Sequence, residues 1–300
     1  MGRDPQYLAF MRAVEQAIAA SETSTVEQER ADHRTAMAQV PTSPLALEQD
    51  LKVAGLRARL YHPAPGTILP GLVFFHGGGF YLGDVESYDP VVRELVKATG
   101  CAMVSVDHRL APEHPFPAAV DDAVAATTDV AGRAEELGID ATRVGVAGDS
   151  SGANLAAVAA IKLRGQVPLA LQLLVYGVYD LTDEPVRPPD PDGLVLAGVP
   201  FHELRERYLA GSDPAHPDAS PMLTEDLSGL PPAVIVVAEY DRLREQGERY
   251  ADRLRAAGVP VSFVAGTGLD HAFVAWGAFA SRPADAIAEL GASVRNALQG

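Results

Sequence analysis

From residue 56 onward the chain alternates short apolar runs with stretches of helical pattern, and this alternation restricts the fold more than any other feature. The apolar runs fall at 56–61, 72–76 ("LVFFH"), 102–107 ("AMVSVD"), 143–147 ("RVGVA"), 170–176 ("ALQLLVY"), 233–238 ("AVIVVA") and 260–265. Helical stretches lie between or after them at 87–99, 117–137, 151–164, 243–257 and 283–298. Strands that alternate with helices make βαβ units, and such units build an α/β fold with a largely parallel sheet covered on both faces. The near-continuous apolarity of 72–75 and 234–238 marks interior strands, because a strand buried on both sides has no polar face to show. A chain of 300 residues is long enough to bury the core that this sheet requires.

Two regions stand outside the alternation. Tyr7, Met11, Val14 and Ile18 recur at spacings of four, three and four, which predicts an amphipathic helix over 5–20. A second, polar helix is expected over 25–39, stopping before Pro41. Residues 181–221 hold a proline-rich loop ("DEPVRPPDPDG"), a helical stretch near 200–210, and "GSDPAHPDASP". A connection this long between two strands more often has a function of its own, such as a lid. The expected organisation is an N-terminal helical cap segment, 1–44, and an α/β domain, 45–300, with 181–215 as a further cap insertion.

Composition enters mainly through what it excludes. A formal net charge of −16 argues against nucleic acid, whose phosphates call for a concentrated basic face, and against an anionic membrane surface. No apolar run approaches the roughly 20 residues of a membrane span. The single cysteine, Cys101, permits no intrachain disulfide, and the N-terminus has no basic segment followed by an apolar one. A cytoplasmic location is the expectation.

The stretch "VGVAGDSSGANLAA", 144–157, carries the first chemistry. Gly148-Asp149-Ser150-Ser151-Gly152 fits G-x-S-x-G with Ser150 at its centre, after a strand pattern and opening a helical one. A sharp strand-to-helix turn holds the central serine in a strained conformation, and flanking glycines leave room where a Cβ would clash. Centring the pattern on Ser151 puts Asp149 and Ala153 where glycines belong, so Ser150 is the candidate nucleophile. Taken alone, the five residues also fit a plain turn with a serine N-cap.

His76-Gly77-Gly78-Gly79 follows the strand at 72–76 directly. Three glycines let backbone N–H groups converge on one point, as an oxyanion requires; the spacing does not meet a dinucleotide fingerprint. His76 is read as a structural residue that pins this loop. A serine needs a general base, and the base an orienting carboxylate, in the chain order Ser, acid, His. Of the histidines downstream of Ser150, His202 and His216 lie in the insertion, whereas His271 lies in a loop after the last strand pattern. His271 is the candidate base, and Asp270 beside it is read as a turn residue facing elsewhere. Glu239 and Asp241, just past the strand at 233–238, are both placed to be the acid. No His, Cys, Asp and Glu cluster has metal-ligand spacing, so no metal is expected.

These residues, with "DHRLAPEHPFPAA" (107–119), "DASPML" (218–223), "LPPAVIVVAEYDRLREQGERYADRLRAAGV" (230–259) and "GLDHAF" (268–273), make the chain resemble the bacterial hormone-sensitive-lipase family of α/β-hydrolases from about residue 45 to its end. The resemblance implies an α/β-hydrolase fold with a helical cap and a carboxylesterase without cofactor, acting on short- to medium-chain acyl esters. It assigns Ser150 as nucleophile, Asp241 as acid and His271 as base, with an oxyanion hole from Gly77, Gly78, Gly79 and Ser151. It also allows a homodimer. An amidase or deacetylase with the same triad is the alternative, and a non-catalytic small-molecule receptor a further one. The family usually has Ala or Gly at Ser151, Tyr at His108, Pro at Arg242 and Gly at Ala272. The Ser151 hydroxyl is expected to be incidental. Apolar candidates for the acyl pocket are Phe10, Phe80, Tyr81, Val195, Leu196, Phe201 and Tyr208.

Overall fold

A computed structural model describes residues 2–19, 25–194 and 199–299. Sixteen elements are used below. The first four are α1 (Pro5–Ala19), α2 (Val26–Met37), β1 (Leu47–Val53) and β2 (Leu56–His62). Next come β3 (Leu69–Phe75), α3 (Asp89–Thr99), β4 (Ala102–Val106), α4 (Ala118–Gly132), β5 (Ile139–Asp149) and α5 (Ser151–Leu163). The last six are β6 (Gln172–Val175), α6 (Phe201–Leu209), β7 (Ala233–Ala238), α7 (Arg244–Ala256), β8 (Val261–Gly266) and α8 (Ser281–Gln299). The strands form one sheet in the order β1-β2-β4-β3-β5-β6-β7-β8. Pairing is parallel from β4 to β8 and antiparallel only where β2 meets β1 and β4.

The sheet is buried on both sides, as the apolar runs require. In β3, Val73 and Phe75 join a cluster with α4, α5 and α7, while Leu72 and Phe74 join one with α3 and α8. Period-two alternation sends neighbouring residues to opposite faces, so a strand apolar at every position serves both cores. Truncating Phe74 or Phe75 to Ala would cost about 3–5 kcal/mol.

Strand β1 is the one element that the apolar pattern does not reveal. Its sequence, LEQDLKV, leaves Glu48, Gln49, Asp50 and Lys52 exposed, because it is the sheet's edge and only its Leu and Val positions touch the core. It is specified instead by a two-residue hairpin turn, Ala54-Gly55, with φ of 50° and 83°. Two positive-φ residues match the twist of the paired strands. The helical pattern at 117–137 resolves into α4 and a separate 3₁₀ turn at Ala134–Leu137. Among the described residues no helix is long and apolar enough to cross a membrane.

Candidate active site

Strand β5 ends at Asp149 and α5 begins at Ser151, which leaves Ser150 in the turn with φ 52° and ψ −119°. A non-glycine residue there stores about 1–3 kcal/mol of strain, held by the structure around it. The Ser150 N–H donates to the Val175 carbonyl at 2.9 Å, and its carbonyl accepts from Ala153 N–H at 3.2 Å. Both flanking glycines are sterically required. A Cβ on Gly148 would lie 2.2 Å from the Gly152 carbonyl oxygen, and one on Gly152 would lie 1.9 Å from that of Phe75.

The loops after β7 and β8 bring the other two groups to this turn. Ser150 Oγ lies 2.9 Å from His271 Nε2, and His271 Nδ1 lies 2.6 Å from Asp241 Oδ2. The partners fix the tautomer: Nδ1–H donates to the carboxylate, and Nε2 accepts from the serine hydroxyl. The second carboxylate oxygen, Oδ1, accepts the Leu243 N–H at 2.9 Å, so the start of α7 orients Asp241. Asp241 is 2% exposed and His271 36%, which leaves the imidazole one open side toward a substrate. Tyr176 supports the ring from behind at 4.9 Å between centroids. Ala272 sits at φ 63°, in the left-handed region that favours glycine.

The glycine loop is anchored by two side chains to which the sequence analysis gave no such role. Asp149 Oδ1 accepts the Gly77 N–H at 2.8 Å. That bond occupies Gly77's donor, which removes Gly77 from the expected oxyanion set. Gly78 and Gly79, at φ 104° and 62°, keep their N–H groups without an acceptor among the described residues. Burial pushes the Asp149 carboxyl up to about 7, against the Gly77 bond, which favours its charged form. Ser151 Oγ accepts the Phe80 N–H at 3.1 Å, so its hydroxyl, expected to be incidental, tethers the far end of the loop. The signal was present in the sequence: both anchors lie inside the G-D-S-S-G motif.

His76 does not face the serine. It is fully buried, its Nδ1 lies 2.9 Å from the Gly77 carbonyl, and its ring stacks on His108 at 4.2 Å. Burial and the neighbouring His108 hold it well below the ordinary histidine value, so it is neutral. Glu239 Oε2 accepts the Gly268 N–H at 2.6 Å and shapes the histidine loop from the side. His216 packs edge-on against Phe116, and His202 is exposed on α6.

A cavity of about 620 Å³ opens over Ser150 and His271. Met11 and Val14 of α1, His33 of α2, and Phe201 and Leu204 of α6 line it, together with Phe80, Tyr81 and Trp276. Of the expected pocket residues, Phe80, Tyr81 and Phe201 are in the wall. Tyr208 lies behind it, stacked on Phe80 at 3.7 Å, and Phe10 packs on Phe279 and Trp276. Val195 and Leu196 lie outside the described residues. The helices are tied down by arginines: Arg30 donates to the carbonyls of Tyr81 and Ala111, and Arg207 of α6 pairs with Glu29 of α2 at 2.8 Å.

Arg3 makes a further tie. Its buried guanidinium bonds Asp270 in two places, 2.8 and 2.6 Å, and Asp190 in two more, 2.7 and 2.8 Å. It also lies 4.1 Å from the Tyr240 ring centre. Asp270 therefore faces away from the serine, but as a buried ion-pair partner rather than a turn residue. Among the described residues, no group of three or more His, Cys, Asp or Glu is placed to hold a metal.

Comparison with known proteins places the chain in a family. The family described by the alpha/beta hydrolase fold matches residues 72–275. Esterase LipI of Mycobacterium tuberculosis is 39% identical over 253 residues, covering 79% of this chain and 78% of that one. An arylesterase of Saccharolobus solfataricus is 36% identical over 247 residues, covering 78% and 79%. Among solved structures, a hyperthermophilic esterase from the archaeon Pyrobaculum calidifontis superposes with a TM-score of 0.90 at 36% identity, covering 99% of both chains.

Proposed function

The chain belongs to the α/β-hydrolase family, as a carboxylic-ester hydrolase of its hormone-sensitive-lipase-like branch, and we propose that its reaction runs through an acyl-enzyme on Ser150. The observation that carries this reading is the unbroken relay from Ser150 through His271 to Asp241, 2.9 and 2.6 Å.

His271 Nε2 takes the Ser150 proton as Oγ attacks the ester carbonyl carbon, and Asp241 stabilises the imidazolium that forms. The carbonyl oxygen becomes an oxyanion and is met by the N–H groups of Gly78, Gly79 and Ser151. Removing one such donor typically costs about 2.7–4 kcal/mol of transition-state stabilisation. His271 then gives its proton to the departing alcohol. Water, deprotonated by the same imidazole, attacks the acyl-enzyme and releases the acid.

The helices α1, α2 and α6 act as a cap, and the apolar wall of the cavity takes the acyl chain of a short- to medium-chain ester. A series of p-nitrophenyl esters from acetate to palmitate tests this, with the optimum expected among the short- to medium-chain members and a fall toward palmitate. Matched aryl amides separate this reading from an amidase, which would turn over amide and ester at comparable rates.

A further inference from the structure

We propose that Arg242 forms an anion-binding subsite in the catalytic cavity, and that the preferred substrates are esters carrying a second, ionised carboxylate. The proposal rests on the acyl-enzyme reading of the same cavity and names the substrate class.

Most arginines near the cap end on carboxylates: Arg3 on Asp270 and Asp190, Arg30 on Glu113, Arg207 on Glu29. Arg242 does not. Among the described residues its guanidinium has no hydrogen bond and no ion pair, and it lies 5.5 Å from the Phe201 ring centre. Yet it is only partly exposed, and it lines the cavity that holds Ser150 and His271. A guanidinium brings five N–H donors and no acceptor, and taking it out of water without partners is unfavourable.

Among the described residues no carboxylate forms an ion pair or hydrogen bond with Arg242. Asp241 is adjacent in sequence, but its two oxygens are already engaged by His271 and the Leu243 N–H. Burial pushes the Arg242 guanidinium below its ordinary value, and the charge of Arg187 pushes the same way, with Asp241 and Glu184 opposing.

A carboxylate lodged there would accept from Arg242 in the forked geometry that guanidinium favours. The Phe201 ring, 5.5 Å from the guanidinium, puts apolar surface beside the site, which strengthens a charge-assisted bond. Ser150 and Arg242 line the same cavity, so the proposal puts the carboxylate and the scissile ester in one molecule. The chain's net charge of −16 would repel an anion at long range, so the recognition must be local.

The test compares near-isosteric pairs. Monoethyl adipate against ethyl hexanoate places the charge on the acyl side, and 4-carboxyphenyl butyrate against phenyl butyrate places it on the alcohol side. The expected result is a higher kcat/KM for the anionic member of one pair. Arg242→Gln should lower that ratio by about tenfold or more, the size of one charge-assisted hydrogen bond, and Arg242→Lys should keep part of it. The pair that responds identifies the side. A measurement free of variants is inhibition of the wild type: adipate competes with ethyl hexanoate, hexanamide at equal concentration does not. Turnover of the neutral esters with no anionic preference, no competition by adipate and ratios unmoved by Arg242→Gln would overturn the subsite and leave the esterase reading intact. Turnover of none of the four esters would overturn the acyl-enzyme reading instead.

Discussion

Arg3 and Asp270 meet through two hydrogen bonds with neither side chain exposed, and Asp270 directly precedes His271. The same guanidinium lies over Tyr240, which directly precedes Asp241. One residue of the N-terminal segment therefore touches the neighbour of each group in the Asp241–His271 pair, and through Asp190 it also holds the proline-rich insertion.

Removing Arg3 leaves Asp270 as an uncompensated buried carboxylate, which typically costs about 3–5 kcal/mol. Arg3→Ala should lower the melting temperature and reduce kcat by about ten- to a hundredfold, since a displacement of about 1 Å in a positioned group is enough. Arg3→Lys should restore part of the stability and less of kcat, because an ammonium does not reproduce the fork. Thermal melts and ester kinetics on the two variants check this; an unchanged kcat in Arg3→Ala would mean that the tie is structural only.

Ser151 offers a milder perturbation. Its hydroxyl accepts the Phe80 N–H, and that donor is otherwise left buried without a partner. An unsatisfied buried donor costs about 1–3 kcal/mol, so Ser151→Ala should cut kcat/KM by several-fold, through a looser glycine loop, while Ser150 and His271 stay in place. A loss beyond about a hundredfold would instead indicate a hydroxyl that bonds the oxyanion itself. No loss would restore the expectation that it is incidental.

Asp149 makes stability depend on pH in a definite direction. Its folded value is raised from 3.8 to about 7 by burial, so the folded state holds a proton that the unfolded state has released. The resulting stabilisation is fully present below about 3.8 and is lost as pH rises through about 7. Asp149→Asn removes the titration and keeps an oxygen for the Gly77 N–H. The melting temperature of the variant, minus that of the wild type, should therefore climb between pH 5 and pH 8. A flat difference would show that Asp149 is already ionised at pH 5.

Ala272 occupies a left-handed conformation that costs an L-residue roughly 1–2 kcal/mol, partly offset by the greater entropy that glycine loses on folding. Ala272→Gly should leave the fold equally or slightly more stable, by up to about 1 kcal/mol, without loss of turnover. A clear fall in melting temperature would mean that the Ala272 methyl packs usefully behind His271.

Much of this architecture was legible because buried strands and amphipathic helices write their burial into residue order. The interior strands, such as "LVFFH" and "AVIVVA", and α1 with its Tyr7, Met11 and Val14 face are of this kind. Strand β1 was not, since an edge strand satisfies water on most of its length and looks polar. Within the site, Ser150 and His271 could be reasoned to from turn geometry and chain order, whereas the choice of Asp241 over Glu239 needed family resemblance. Gly77 shows the limit: a glycine run announces available N–H groups but not which of them the fold will use, and Asp149 claims the first. Arg3 was invisible for a related reason. An arginine three residues from one end carries no periodic or motif signal, and its partners lie 187 and 267 positions away.

The central claim is that Ser150 is the nucleophile of an acyl-enzyme. Incubating the wild type and Ser150→Ala with an aryl alkylphosphonate, then digesting and weighing the peptides, tests it directly. The account predicts one phosphonyl adduct on Ser150, none on Ser151, no adduct in Ser150→Ala, and a loss of ester turnover of about a thousandfold or more in that variant. An adduct on another residue, or near-normal hydrolysis of p-nitrophenyl butyrate by Ser150→Ala, would contradict it.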